Sequence, residues 1–393
     1  MIDSLYIAWR YITFNRLRTL ILVCCITMIS FLPLSLQLLI NESEKQLMER
    51  ADSTPLLAGA KGSSLDLAMN SLYFTNEAPE LIDMGAANRI DDTELALPVP
   101  VYVRFKARGV PIVGTSLDYF DLRRLEVSEG RQFVRVGECM LGARAARELE
   151  LGVGDTIVSS PENMFDLAGI YPLKMNIVGV LQENHSADDL AIFADLKTTW
   201  VIQGLGHGHD DVAKLTDPTL IMKRTEGKVT ASVKLFHFTE ITDDNIDSFH
   251  FHGSTDRYPI TAVIALPFDE KSEAILQGRF LGKNELLQIF RPTVVIGELL
   301  ENIFRIKNVL DAIISVVGAV TLLAIGLVFG LSLRLRQKEV DTIFKMGCDR
   351  AMIFQLLGAE ILLIMGISAL CCAGLVAAIN FFSADLVRLL FLQ

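Results

Sequence analysis

Catalytic signatures are missing from this chain. There is no G-x-x-x-x-G-K-[ST] loop to cradle nucleotide phosphates, no G-x-S-x-G elbow to expose a nucleophilic serine and no H-E-x-x-H pair to hold a catalytic zinc. The stretch GAKGSS, residues 59–64, comes nearest to a phosphate loop, but its spacing is wrong and it reads as a Gly-rich turn after a strand. Cysteine is sparse as well. Of six cysteines, only Cys139 lies in the long polar middle of the chain, which excludes a disulfide scaffold there and leaves a single buried thiol as the plain reading. The chain is therefore expected to carry no catalytic site of its own.

What is present is apolar surface. Hydrophobic residues make up 51% of the 393, the formal charge is −11, and the mean hydropathy is +0.39, a balance that suits neither an ordinary soluble enzyme nor a polytopic carrier. Residues 19–40 form an uncharged run which, at about 1.5 Å per helical residue, reaches about 33 Å and crosses a hydrocarbon core of about 30 Å. A cleaved signal peptide would have a shorter apolar region ending in small residues, so an uncleaved first span is favoured. Residues 309–333 and 352–382 give a second and a third span, and nothing comparable lies between 41 and 308. Pro33 is expected to kink the first span.

Arg10, Arg16 and Arg18 precede the first span, and Arg334, Arg336, Lys338, Lys345 and Arg350 fill the loop between the second and third. Both segments should face the cytoplasm and residues 41–308 should lie outside. Residues 1–18 read as an amphipathic N-terminal helix and 383–393 as a short tail.

The loop 334–351 is the one substantial cytoplasmic segment. Within it Val340, Ile343 and Phe344 fall at i, i+3 and i+4 and make one apolar helix face, while Glu339, Asp341 and Lys345 point elsewhere. Gly347 suits a helix end and Asp349 a following cap. So short a charged amphipathic helix fits a protein groove better than a lipid surface.

The pattern Arg334-x-Arg336-x-x-Glu339-Val340, then Lys345-Met346-Gly347-Cys348 and Glu360, resembles the cytoplasmic loop of MacB/LolC/FtsX-type ABC transporter permeases, the mechanotransmission group. AWRYITFNRLRTL (8–20) resembles the group's N-terminal helix. Residues 113–133, 141–156 and 175–181 are similar, in order and spacing, to its MacB-like periplasmic core domain. The resemblance implies a coupling helix formed by Arg334, Arg336, Glu339, Val340, Ile343, Phe344, Lys345 and Gly347, with Glu360 bracing the loop from the third span. It further implies a cytoplasmic ABC ATPase dimer as partner, with ATP and magnesium bound there and no cofactor on this chain. A second permease copy or paralogue, a periplasmic or outer-membrane partner and a location in the bacterial inner membrane complete the picture; no nucleic acid is expected.

The fold class follows: a membrane protein with three α-helical spans and a large extracytoplasmic α+β domain inserted between the first and second. Gly130-Arg131 and Gly152-x-Gly154-Asp155 read as turns, ARAARELEL as a short helix and MNIVGVL as a buried strand. A strand-rich lobe near 113–205 is expected inside an α/β lobe built from 45–112 and 212–300, with a last helix around 284–308 running into the second span.

All six histidines fall in this domain: His185, His207 and His209 of HGHDD, His237, and His250 and His252 of HFH. His207, His209 and Asp210 are the first candidates for zinc or copper, although no spacing fixes a full ligand set. The function expected is that of a permease subunit moving its periplasmic domain on ATP hydrolysis by a separate ATPase. Alternatives are a metal-handling permease using a periplasmic His cluster and a membrane-anchored receptor or sensor with no ATPase. The group usually has a fourth span. Residues 383–393 carry Asp385 and Arg388 and are too short to supply one, so either a three-span variant or a missing last span is expected.

Overall fold

The computed structural model describes residues 2–75, 78–160, 172–208, 221–225, 228–231, 240–242, 245–282, 285–335 and 350–391. Its helices, in chain order, are α1 (Ile2–Phe14), α2 (Arg16–Asp52), α3 (Ser64–Tyr73), α4 (Gly85–Asp91), α5 (Asp118–Arg123), α6 (Ala143–Leu149), α7 (Leu196–Ile202), α8 (Glu270–Arg279), α9 (Pro292–Leu335) and α10 (Arg350–Phe391). Two compact units divide the chain: Met1–Lys45 with Leu300–Gln393, and Gln46–Leu299.

The described residues of the first unit are helical apart from Asn15. The N-terminal segment bends at Asn15, so that α1 is separate and α2 already starts at Arg16, inside the segment expected to form one helix over 1–18. Ala8 and Ile12 of α1 are buried, and Ile12 joins Leu22, Val23 and Ile364 in a small apolar cluster with Ile26, Leu363 and Ile367 at its edge. Thr27 Oγ1 donates to the Ser368 carbonyl at 3.4 Å, a hydrogen bond between the apolar parts of α2 and α10. Most other large side chains here, among them Leu20, Leu32, Leu323, Phe354 and Phe381, are exposed, as expected of surface that meets acyl chains instead of water. By length and composition α2 and the Phe354–Phe381 part of α10 qualify as spans. The apolar run 309–333 lies within α9. Two differences concern helix ends. The helix α10 runs unbroken through Gly374 to Phe391, so most of the expected tail is helical, and α2 runs on well past residue 40 to Asp52.

The second unit is α+β. Its main sheet contains β1 (Leu56–Ala60), β2 (Ala96–Ala107), β3 (Val110–Thr115), β4 (Val127–Gly130), β5 (Glu138–Leu141), β6 (Thr156–Val158), β7 (Lys174–Leu181), β8 (Ile192–Asp195), β9 (Ala262–Pro267) and β10 (Leu287–Phe290). The order across it is β10-β1-β9-β2-β3-β8-β5-β7-β4, with β6 also on β7. Only β3–β8 and β5–β7 pair in parallel. The strand-rich segment expected as a lobe over 113–205 forms one half of this sheet. The parallel pairing of Ile112–Thr115 in β3 with Ile192–Asp195 in β8 joins it to the half built from β10, β1, β9, β2 and β3.

Several local expectations are met. MNIVGVL lies in β7, ARAAREL forms α6, and Gly130 takes φ +78°, a turn conformation that side chains resist. GAKGSS spans the end of β1 and the start of α3, whose N-cap Ser63 accepts the Asp66 N–H. One expectation fails. The segment 284–308 is not one helix, because Leu287–Phe290 pairs as an edge strand with β1 and the helix starts only at Pro292, where a proline costs no intrahelical hydrogen bond. From there α9 continues unbroken into the second apolar run.

The core lies between the sheet and its covering helices. Leu56, Tyr102, Ile112, Leu141, Met175 and Ile192 are fully or almost fully buried in one continuous cluster. Burying a Leu or Ile of this kind contributes roughly 1.5–3 kcal/mol, which makes the cluster the main source of the unit's stability.

Candidate functional site

The last two turns of α2, Gln46–Asp52, belong to the α+β unit and are gripped there by polar side chains. Arg50 is almost fully buried. Its Nε donates to the Leu72 carbonyl at 2.8 Å, one terminal nitrogen donates to Tyr119 Oη at 2.7 Å, and both terminal nitrogens pair with the Asp188 carboxylate. Tyr119 in turn donates to Asp188 Oδ1 at 2.7 Å. The guanidinium also sits 5.6 Å from the centre of the Phe74 ring.

A second set of contacts holds the residues around Arg50. Arg123 donates to Ser53 Oγ at 2.6 Å and to Thr54 Oγ1 at 2.7 Å, just beyond the end of α2. Tyr73 donates to the Leu47 carbonyl at 2.5 Å, one turn before Arg50. The grip thus comes from α3 through Leu72 and Tyr73, from α5 through Tyr119 and Arg123, and from the 3-10 turn Ala187–Leu190 through Asp188.

Electrostatics agree with the geometry. Burial alone would raise the Asp188 carboxyl, but the charge and hydrogen bonds of Arg50, with Arg123 and Tyr119 behind them, hold it below the usual carboxylate range. Burial pushes the Tyr119 phenol up and keeps it neutral as donor and acceptor. A fully desolvated ion pair contributes little net stability, yet leaving one partner alone costs about 3–5 kcal/mol, so such a contact fixes geometry more than it adds energy. Gly142 lets the turn approach closely: a Cβ there would stand 2.2 Å from the Asp188 carbonyl oxygen.

The coupling residues expected from the sequence fall largely outside this picture. Arg334 is exposed in the last turn of α9, where a cation suits the helix dipole. Glu360 is buried on α10. Arg336, Glu339, Val340, Ile343, Phe344, Lys345 and Gly347 lie outside the described residues, as do His209 and Asp210 of the metal set. His207 is described in its backbone alone, which pairs with His250 on a two-stranded ribbon, and the His250 and His252 rings stand 4.8 Å apart. Cys139 is a buried thiol whose pKa is raised by burial.

Sequence reasoning missed Arg50, Tyr119, Arg123 and Asp188. Arg50 ends a charged stretch, NESEKQLMERAD, in which nothing separates it from its solvated neighbours. The pair Asp188-Asp189 sits between apolar residues, the only hint that one acid was to be buried.

A helical unit with long apolar segments joined to an α+β unit that grips the continuing helix defines a membrane-anchored ectodomain. A family model, MacB-like periplasmic core domain, matches residues 35–235, just over half of the chain, and the chain belongs to that family. Three solved structures are similar at low identity. The periplasmic region of MacB from Actinobacillus actinomycetemcomitans is 14% identical with a TM-score of 0.34, covering 65% of this chain and 98% of that one. The extracellular domain of the noncanonic ABC-type transporter YknZ from Gram-positive bacteria is 13% identical with a TM-score of 0.33, covering 60% and 99%. A domain of a putative permease protein from Porphyromonas gingivalis is 13% identical with a TM-score of 0.27, covering 60% and 86%. No curated protein matches the chain.

Proposed function

We propose that the chain is the permease subunit of an ABC transporter that works by mechanotransmission. In this reading a separate cytoplasmic ATPase dimer binds and hydrolyses ATP, and its movement reaches a helix within 334–351. The MacB-like domain then moves in the periplasm to export or extract a periplasmic or membrane-derived substrate. The chain itself performs no catalysis and resides in the bacterial inner membrane beside a second copy or a paralogue.

The observation that carries the reading is the treatment of α2. It runs unbroken from its apolar segment into the α+β unit, and its end is gripped there by Arg50, Tyr119, Arg123 and Asp188. A tether need only be long enough; a helix whose last turn is locked on three sides is suited to carry displacement. A receptor or sensor without an ATPase would not need this lock.

The test is purification of the full-length chain from its native membrane in mild detergent, beside a Val340→Asp, Phe344→Asp variant that destroys the apolar face of the loop helix. An ABC ATPase should accompany the unaltered chain and be absent from the variant. Equal recovery of an ATPase with both, or none with either, defeats the proposal.

A further inference from the structure

Just beyond β7, the chain turns back through Glu183, Asn184, His185 and Ser186 into the 3-10 turn that carries Asp188. Glu183, His185 and Asp189 each bring a ligand-type atom to within 4.8 Å of the others. We propose that these residues form a site for a divalent transition metal ion, distinct from the HGHDD segment. An imidazole with two carboxylates is a donor set for zinc, with solvent completing the coordination. An oxygen-preferring ion such as calcium would seek more oxygen donors.

The donors are held before any ion arrives. Both Glu183 oxygens accept from Arg147, at 3.1 and 2.6 Å. Asp189 is buried, and its Oδ1 accepts the Asn184 N–H at 3.0 Å. Contacts of this kind orient ligating carboxylates in metal sites generally. Arg147 also brings a positive charge, but two carboxylates against one guanidinium leave the set negative. His185 adopts φ +61°, in a turn closed by the Ser186 N–H and hydroxyl on Asn184 Oδ1, with Glu183 Oε1 4.0 Å from its Nδ1.

Position gives the site a consequence. Asp189 is the direct neighbour of Asp188, the acid that grips Arg50 of α2. An ion holding Glu183, His185 and Asp189 together fastens the turn that holds the stalk helix, and the grip becomes firmer when metal is bound.

The experiment uses the full-length chain in a Trp9→Phe background, in detergent after chelator treatment, and titrates zinc chloride calorimetrically, with thermal unfolding followed by Trp200 fluorescence. The comparison variant is His185→Asn, because asparagine tolerates the left-handed backbone and removes the imidazole. A His250→Ala, His252→Ala variant serves as control. The expected result is a saturable zinc site in the unaltered chain, weakened at least tenfold by His185→Asn and unchanged in the control, with zinc raising the unfolding midpoint only where the site is intact. Should His185→Asn alter the zinc-free midpoint, Glu183→Gln is read in its place, with the same loss expected. Absence of saturable binding, binding that survives these changes, or loss confined to the His250, His252 variant overturns the proposal.

Discussion

Arg50 and Asp188 test the grip at the scale of single residues. Arg50→Met leaves Asp188 buried without its cation and should cost about 3–5 kcal/mol. Adding Asp188→Leu removes the stranded charge and should return much of that loss, so the two changes will be strongly non-additive in thermal unfolding. Additive costs would show that Arg50 and Asp188 are not coupled as the buried pair described above.

Glu138 gives a pH dependence. Burial raises its carboxyl, but Arg131 and the N–H groups of Val134 and Arg135 outweigh this and bring it from 4.5 to about 2. A carboxyl depressed in the folded state stabilises fully above its unfolded pKa and loses that contribution as pH falls through the folded one. Unfolding midpoints should therefore drop as pH falls from about 4.5 toward 2, with a smaller drop for Glu138→Gln; identical profiles would remove Glu138 from the account.

At the scale of elements, α2 is one helix across the boundary between the two units, Lys45 and Gln46. Inserting Gly-Gly there costs roughly 1 kcal/mol per glycine in helix propensity and interrupts the rod without touching the core. In a Trp9→Phe background the account predicts a Trp200-reported melt near that of the uninserted chain, with the proposed ATPase association kept and the proposed ATP-driven movement of the outer domain lost. Movement that survives the insertion would show that α2 is only a tether.

Elements also show what was legible in the sequence. Long apolar runs marked α2 and α10 because bilayer thickness imposes a length, and Gly130, ARAAREL and MNIVGVL could be read because turn, helix and strand preferences are local. Leu287–Phe290 was misread as helix, since its strand state depends on pairing with Leu57–Ala60, far away in sequence. The grip on Arg50 was illegible for the same reason: its partners come from residues 72, 119 and 188, and only the folded sheet brings them together.

For the whole molecule, the chain belongs to the MacB-like periplasmic core domain family and carries two helices, among the described residues, long and apolar enough to cross a membrane; the proposed energy-driven movement of the outer domain goes beyond both. The direct measurement is of movement. Spin labels are attached to cysteine replacing the exposed Val134, with Cys24, Cys25, Cys348, Cys371 and Cys372 changed to serine and Cys139 left buried, and in the complex proposed above, with two labelled copies, the distance between labels is recorded with and without ATP. The account predicts a distance distribution that shifts with ATP, and no shift when Val340→Asp and Phe344→Asp are present. A distribution indifferent to ATP in the intact complex would contradict it.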